Sequence, residues 1–324
     1  MTPPAPRLLY GVLSARSLSY ATICTRSLFR NALEPLSLTL ITDGPEDVAA
    51  LTAMMQAIAP EPRHAWRVVG KAEADLRAED VFAKFPHLRR FRQGHPCWRK
   101  VTDPPLFALD GEEMVILDPD VYFPNPFTFE PTPPTGLLLM RQDKNCLYPH
   151  DLVRHAFEQG VAMADVTDIG VCQALAPLDY EWLDGLIGRL GGADLPTWSP
   201  HVESVVWAAL AMHVGGGYLD PSAWFCFNYP IAKRLQLRLL KVDPMALLRR
   251  EPIGRAKCFH AGGKAKAWLV DAEKAGLLQG SGPQDRPTQP LPYRPYERAR
   301  FDRKQAALKF ARSVGIMKLI DGNA

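Results

Sequence analysis

Two carboxylates two residues apart, Asp118 and Asp120, lie inside the apolar run Val115-Ile116-Leu117-Asp118-Pro119-Asp120-Val121-Tyr122-Phe123. The run follows a turn-like Asp110-Gly111-Glu112-Glu113 and reads as a buried strand, and strands rarely bury two acids that nothing binds. In an extended chain residues i and i+2 point to the same side, so the two carboxylates are presented together, and Pro119, which lacks an N–H, marks the end of sheet pairing. Like charges that close raise each other's pKa unless a cation sits between them. The chemistry this spacing suits is a hard divalent metal, Mn2+ or Mg2+, bound by oxygen ligands at a strand end.

A second concentration of chemistry is Lys257-Cys258-Phe259-His260-Ala261-Gly262-Gly263-Lys264-Ala265-Lys266-Ala267-Trp268. An imidazole, adjacent glycines and lysines make a flexible cationic loop that can wrap a diphosphate. A lone histidine is more often structural, and a zinc set of Cys258, His260, His95 and Cys97 lacks the usual ligand spacing. The basic, aromatic stretch Phe85 to Lys100 reads as a solvated surface with Trp98 packed inward, or as a source of phosphate contacts through Arg99 or Lys100. Asp168 and Gly170 fall in an apolar strand, Val166 to Leu175, where the glycine marks either a bulge or close approach by a ligand or another chain. Glu203, in the first turn of a helix through Met212, reads most simply as a complement to the helix dipole.

The elements that must position these groups alternate. Leu8 to Leu13 is a short strand, Ser19 to Asn31 a helix, and Leu36 to Thr42 a strand that stops at Asp43-Gly44-Pro45. A helix from Val48 to Ala59 and a strand from Ala65 to Val69 continue the pattern. Such alternation predicts a mostly parallel sheet with helices on its faces, and ligands in such sheets gather at the carboxyl ends of strands. Residues 276–295 have the Gly, Pro, Gln and Asp content of a linker or a loose surface segment. Tyr296 to Ile320 reads as a basic amphipathic helix, with Phe301, Phe310, Val314, Met317 and Leu319 among many Lys and Arg. It is expected to pack on its own domain, with an anionic membrane surface as the runner-up partner.

The totals allow one large domain or two smaller ones. The chain has 324 residues, 47% of them hydrophobic, and Lys+Arg of 38 against Asp+Glu of 35 leaves a net charge of +3, which does not point to nucleic acid as a partner. Six cysteines without CxxC spacing fit reduced thiols in a cytosolic protein. The start, Met1-Thr2-Pro3-Pro4-Ala5-Pro6-Arg7, lacks the features of a secretion signal, and no run approaches the ~18 apolar residues of a membrane span.

Leu117-Asp118-Pro119-Asp120-Val121 resembles the DxD motif of GT-A glycosyltransferases. His260, Gly263, Lys266 and Trp268 are similar to the HxxGxxKPW signature of the glycogenin-like retaining enzymes, which include bacterial lipooligosaccharide galactosyltransferases. The resemblance covers roughly residues 8 to 270 and implies a Rossmann-like α/β GT-A domain, assigned to 1–275; composition adds the 276–295 linker and a helical tail over 296–324. It implies a metal on Asp118, Asp120 and His260, and a nucleotide-diphosphate sugar, a UDP-sugar, as donor. Tyr20 would stack on the base, Arg99 and Lys100 would contact the donor, and Gly263, Lys264 and Lys266 would wrap the diphosphate. Asp168-Ile169-Gly170 corresponds to the family's Asn-x-Gly segment and Glu203-Ser204 to its Asp-Gln pair, giving Asp168, Glu203 and Lys266 catalytic roles. The implied reaction moves a hexose to a glycan or cell-envelope acceptor with retention; the location expected from the cysteines and the missing signal is cytoplasmic, with the inner face of a membrane as the further option.

The chain departs from that pattern in three places. Ala267 replaces the proline before the tryptophan, no acid follows the first strand around Ala15-Arg16, and Ser204 stands where the pair has an amide. The competing expectations are a catalytically inactive module that binds nucleotide sugar or glycan, and a phosphatase with Asp118 as nucleophile. The phosphatase motif needs Thr or Val where this chain has Tyr122.

Overall fold

The computed structural model describes residues 5–315. Eleven strands form in chain order: β1 Arg7–Val12, β2 Leu36–Ile41, β3 Ala65–Val69, β4 Glu113–Leu117, β5 Val121–Tyr122, β6 Leu137–Arg141, β7 Thr167–Leu175, β8 Gly216–Tyr218, β9 Trp224–Cys226, β10 Cys258–His260 and β11 Leu291–Pro292. Eight of them make one sheet in the order β11-β8-β6-β7-β4-β1-β2-β3. Every strand in it except β7 and β11 runs the same way.

Helices cover both faces, so the strands are apolar on both sides. Along β4, Met114 and Ile116 join one core while Val115 and Leu117 join the other, and in β6 Leu137 and Leu139 are divided in the same way from Leu138 and Met140. This is why the run into Asp118 is continuous in hydrophobicity rather than alternating. Each fully buried Leu, Ile or Val contributes roughly 1.5–3 kcal/mol, so the strand ends are anchored firmly.

A second sheet, β5-β10-β9, stands at the end of β4. Its antiparallel register pairs His260 with Val121 and Phe259 with Tyr122. A third apolar cluster, including Cys24, Tyr122, Phe259, Ala265 and Leu269, backs it.

Residues 276–295 differ from the expectation of a linker. They cross the domain as a strap and add β11 to the edge of the main sheet beside β8. Thr288 donates from its N–H and its hydroxyl to the buried Glu130, Gly282 N donates to Asn125 Oδ1 at 3.0 Å, and a Cβ on Gly280 would lie 2.0 Å from that same Oδ1. Composition suggests looseness here because the glycines and prolines serve close backbone approach, and the fixing bonds go to side chains far away in sequence. The helix Arg298–Ser313 follows, docked through Phe301, which is buried against Phe157 and Tyr296. Arg300 pairs with Asp165, and Lys304 Nζ donates to the Asn145 carbonyl at 2.8 Å. Met317 and Leu319, which the sequence placed on this helix, lie outside the described residues. Among the described residues no helix is long and apolar enough to cross a membrane.

Candidate functional site

The site forms where β4 ends and the small sheet begins. Asp118 N donates to the Gly170 carbonyl at 2.9 Å and Val121 N to the Asp118 carbonyl at 3.3 Å, so Asp118-Pro119-Asp120 is a tight turn between β4 and β5. Pairing of β5 with β10 then carries His260 to the two acids, and Ala261 N donates to the Asp120 carbonyl at 3.0 Å. His260 Nε2 lies 3.3 Å from Asp120 Oδ1 and 3.8 Å from Asp118 Oδ2. Ligand atoms of all three residues fall within 4.8 Å of one another.

Asp168 holds the far side of the imidazole, with its Oδ1 2.7 Å from His260 Nδ1. The same oxygen accepts from Gly170 N at 3.0 Å, and Asp168 Oδ2 accepts from the Cys226 thiol at 3.3 Å. A bulge in β7 opposite Leu139 and Met140 makes this arrangement possible. The bulge reading of Gly170 holds, and the group that approaches it closely is this chain's own imidazole rather than a ligand or another chain: a Cβ there would stand 2.5 Å from His260 Nδ1. Burial opposes ionisation of Asp120 and Asp168, yet the imidazolium and its hydrogen bonds hold both below the ordinary carboxylate range. Burial likewise opposes charge on His260, but Asp168 and Asp120 outweigh it and raise its pKa well above the ordinary value.

Lys100, in the short helix Arg99–Thr102, is buried between two acids. Its Nζ is 2.5 Å from Asp118 Oδ1 and 2.8 Å from Glu203 Oε1. Glu203 does occupy the first turn of a helix, Val202–Val214, but it faces inward on Lys100 rather than simply complementing a dipole. Burial pushes its carboxyl up to about 8, Lys100 pulls against this, and the Asp118 charge adds to it. Glu203 Oε2 and Arg99 Nη1 are both buried without a hydrogen-bond partner.

The loop after β10 places its residues unequally. Gly263 takes a left-handed backbone conformation, φ 64°, beside open space. Ala265 is buried, and Lys266 points back to the acids with Nζ 3.7 Å from Asp120 Oδ2 and 5.7 Å from the centre of the Tyr20 ring. Lys264 leans on Tyr229 instead, 6.0 Å from its ring centre. Trp268 packs edge-on to Phe227 and Tyr229.

The structure therefore gathers Asp118, Asp120, His260, Lys100, Glu203, Asp168 and Lys266, with Tyr20 and Gly263 at the border, while Lys264 turns to Tyr229 and Arg99 lines a cleft with Lys71, Asp75 and Arg92. The zinc set is not assembled. Among the described residues the candidate metal clusters are Asp118, Asp120, His260 and Asp168, Cys226, His260, and His95 Nδ1 accepts from Cys97 N at 3.1 Å. Local spacing does not mark Cys226, because its place beside Asp168 comes from the β9–β10 pairing.

Two acids and an imidazole oriented by a third acid make a donor set that fits a divalent metal such as Mn2+ or Mg2+. No protein-family model matches the chain, and no curated protein matches it. Among solved structures, mouse xyloside xylosyltransferase 1 in its apo form is similar with a TM-score of 0.51 and 12% identity, over 80% of this chain and 98% of that one. The galactosyltransferase LgtC, solved with donor and acceptor sugar analogues, is similar with a TM-score of 0.46 and 14% identity, over 83% and 92% of the two chains. At such identities the first likeness establishes a shared fold, and the α/β GT-A architecture expected from the sequence is the one found.

Proposed function

We propose that this chain is a metal-dependent glycosyltransferase that moves a hexose from a nucleotide-diphosphate sugar, a UDP-sugar, to a glycan or cell-envelope acceptor with retention. The observation that carries the reading is the convergence of Asp118, Asp120 and His260 at the end of β4, with Lys266 beside them, in a fold shared with a glycosyltransferase.

A divalent ion on those three residues would supply positive charge to the departing diphosphate. The chain's own residues do the rest. Asp168 holds His260 so that Nε2 faces the two acids, which makes Asp168 a positioning residue in this reading. Lys266, 44% exposed at its side chain, is free to swing from Asp120 to a phosphate oxygen. Gly263, with nothing near its missing Cβ, lets that oxygen approach the backbone. Lys100 keeps Asp118 and Glu203 from repelling each other, and the unpartnered Glu203 Oε2 is left to meet a donor hydroxyl. Asp168 already spends both oxygens on His260, Gly170 and Cys226, so it is no free nucleophile, which supports front-face attack with the leaving phosphate as base.

The same reading puts the protein at the cytoplasmic face of a membrane. Support comes from the helix Arg298–Ser313, whose outer surface carries Arg303, Lys309 and Arg312 and exposed Phe310. Loss of anionic-vesicle binding on removing residues 303–324 is the expected result.

The discriminating experiment is nucleotide release from a panel of nucleotide sugars, with Mn2+ or chelator and with or without saccharide acceptors. Metal-dependent release that disappears in Asp120→Ala and His260→Ala is expected. Metal-dependent binding without release would instead identify an inactive binding module, and an inverted anomeric centre in the product would remove the front-face proposal.

A further inference from the structure

Trp198 is 66% exposed and Tyr148 38% exposed. Their ring centres are 6.1 Å apart with planes at 73°, and the His201 ring lies 5.9 Å from Tyr148 at 85°. The corner is held rigidly from beneath. Ser199, the residue after Trp198, is fully buried, its carbonyl accepts from Trp98 Nε1 at 2.9 Å, and Trp98 itself stacks on Phe91 in the core. An exposed tryptophan on a pinned turn is poised for contact rather than loosely placed.

We propose that Trp198 and Tyr148, with His201, form the platform on which the pyranose ring of a carbohydrate acceptor stacks. The proposal rests on the glycosyltransferase reading and names where its acceptor sits. One face of a pyranose is a flat array of C–H groups, which matches the negative face of an aromatic ring, and two rings set at a corner bracket its face and its edge. The polar tips, Tyr148 Oη and the His201 imidazole, are suited to ring hydroxyls. Two rings are far too small a patch for a stable protein partner, which covers about 800 Å² on each side.

The platform is linked to the donor site through one helix. His201 immediately precedes the helix Val202–Val214, and Glu203 two residues on contacts Lys100, which contacts Asp118. Burial of part of its ring, and then the charges of Lys100, His95 and Lys266, lower the proton affinity of His201. Neutral, it can accept a hydrogen bond from a hydroxyl as well as donate one.

Saturation-transfer NMR on the full chain, with Mn2+ and UDP present, tests this with methyl β-glycosides of glucose, galactose and N-acetylglucosamine and methyl α-mannoside. At least one sugar should receive saturation at its ring C–H protons, Trp198→Ala should weaken its binding tenfold or more, and Trp198→Phe should keep most of it. Mn2+ binding, followed by electron paramagnetic resonance, should be the same in all three proteins. Transfer to none of the sugars, or transfer undiminished in Trp198→Ala, overturns the proposal. Trp198-dependent sugar binding in a protein that takes up no Mn2+ would sustain the platform and overturn the metal-dependent transferase instead.

Discussion

Asp168 Oδ1 lies 2.7 Å from His260 Nδ1, which leaves Nε2 of the same ring facing Asp118 and Asp120. An outer carboxylate of this kind fixes both the tautomer and the orientation of a ligating imidazole, and its loss typically costs about 10–100-fold in metal affinity. Asp168→Asn should therefore weaken Mn2+ binding by about that factor while the fold survives. Titration calorimetry with Mn2+ alone would measure it, and unchanged affinity would show that Asp168 does not position His260.

Gly170→Ala should be more damaging than its size suggests. The added Cβ would be placed 2.5 Å from His260 Nδ1 and 3.1 Å from Asp168 Oδ1, with Gly170 N and its carbonyl both committed to the site. Overpacking of this kind costs roughly 1–3 kcal/mol, and the imidazole must move to relieve it. A lower Tm together with lost Mn2+ binding is expected, read by thermal melts with and without the metal.

The parts of this site that the sequence displays are those written in short spacings. The two-residue spacing of Asp118 and Asp120 marks the site, although β4 ends at Leu117 and a tight turn, not the expected extended strand, brings the two acids together; the Gly263 to Trp268 loop announces itself by composition. Neither spacing says that β10 pairs with β5, yet that register is what brings His260 to Asp120. Long-range strand pairing also hides Cys226, and it turns 276–295 from an expected linker into an edge strand and strap. Glu203 is misleading for a different reason. A first-turn acid is common on exposed helices, and only the arrival of Lys100 from another segment makes a buried one tolerable.

Lys100→Met removes a cation that touches both Asp118 and Glu203. Breaking a buried pair by deleting one partner costs about 3–5 kcal/mol, because the charge left behind has no compensation. Two acids are stranded here, and burial already pushes the Glu203 carboxyl up to about 8, so protonation offers partial relief. The variant should melt well below the wild type at pH 8 and recover part of the difference at pH 5. Denaturant unfolding at the two pH values would check this, and an equal loss at both would show that Glu203 takes up no proton.

The metal-free protein should lose stability as pH rises, and the sign follows from His260. Burial opposes its charge, but Asp168 and Asp120 prevail and lift its pKa well above 6.5. A group that holds its proton more tightly folded than unfolded contributes stability that is complete below the unfolded pKa and disappears as pH climbs through the folded one. The Tm in chelator should thus fall from about pH 6.5 upward. Glu203, also raised, pulls in the same direction between 4.5 and about 8, so the series is best run in Glu203→Gln as well, where the remaining slope belongs to His260. A metal on Nε2 must displace the proton, so Mn2+ affinity, and with it the Tm gain on adding Mn2+, should rise over the same interval. Melts from pH 6 to pH 9 with chelator or with Mn2+ give both curves. A metal-induced gain that does not change with pH would mean that His260 is not among the ligands.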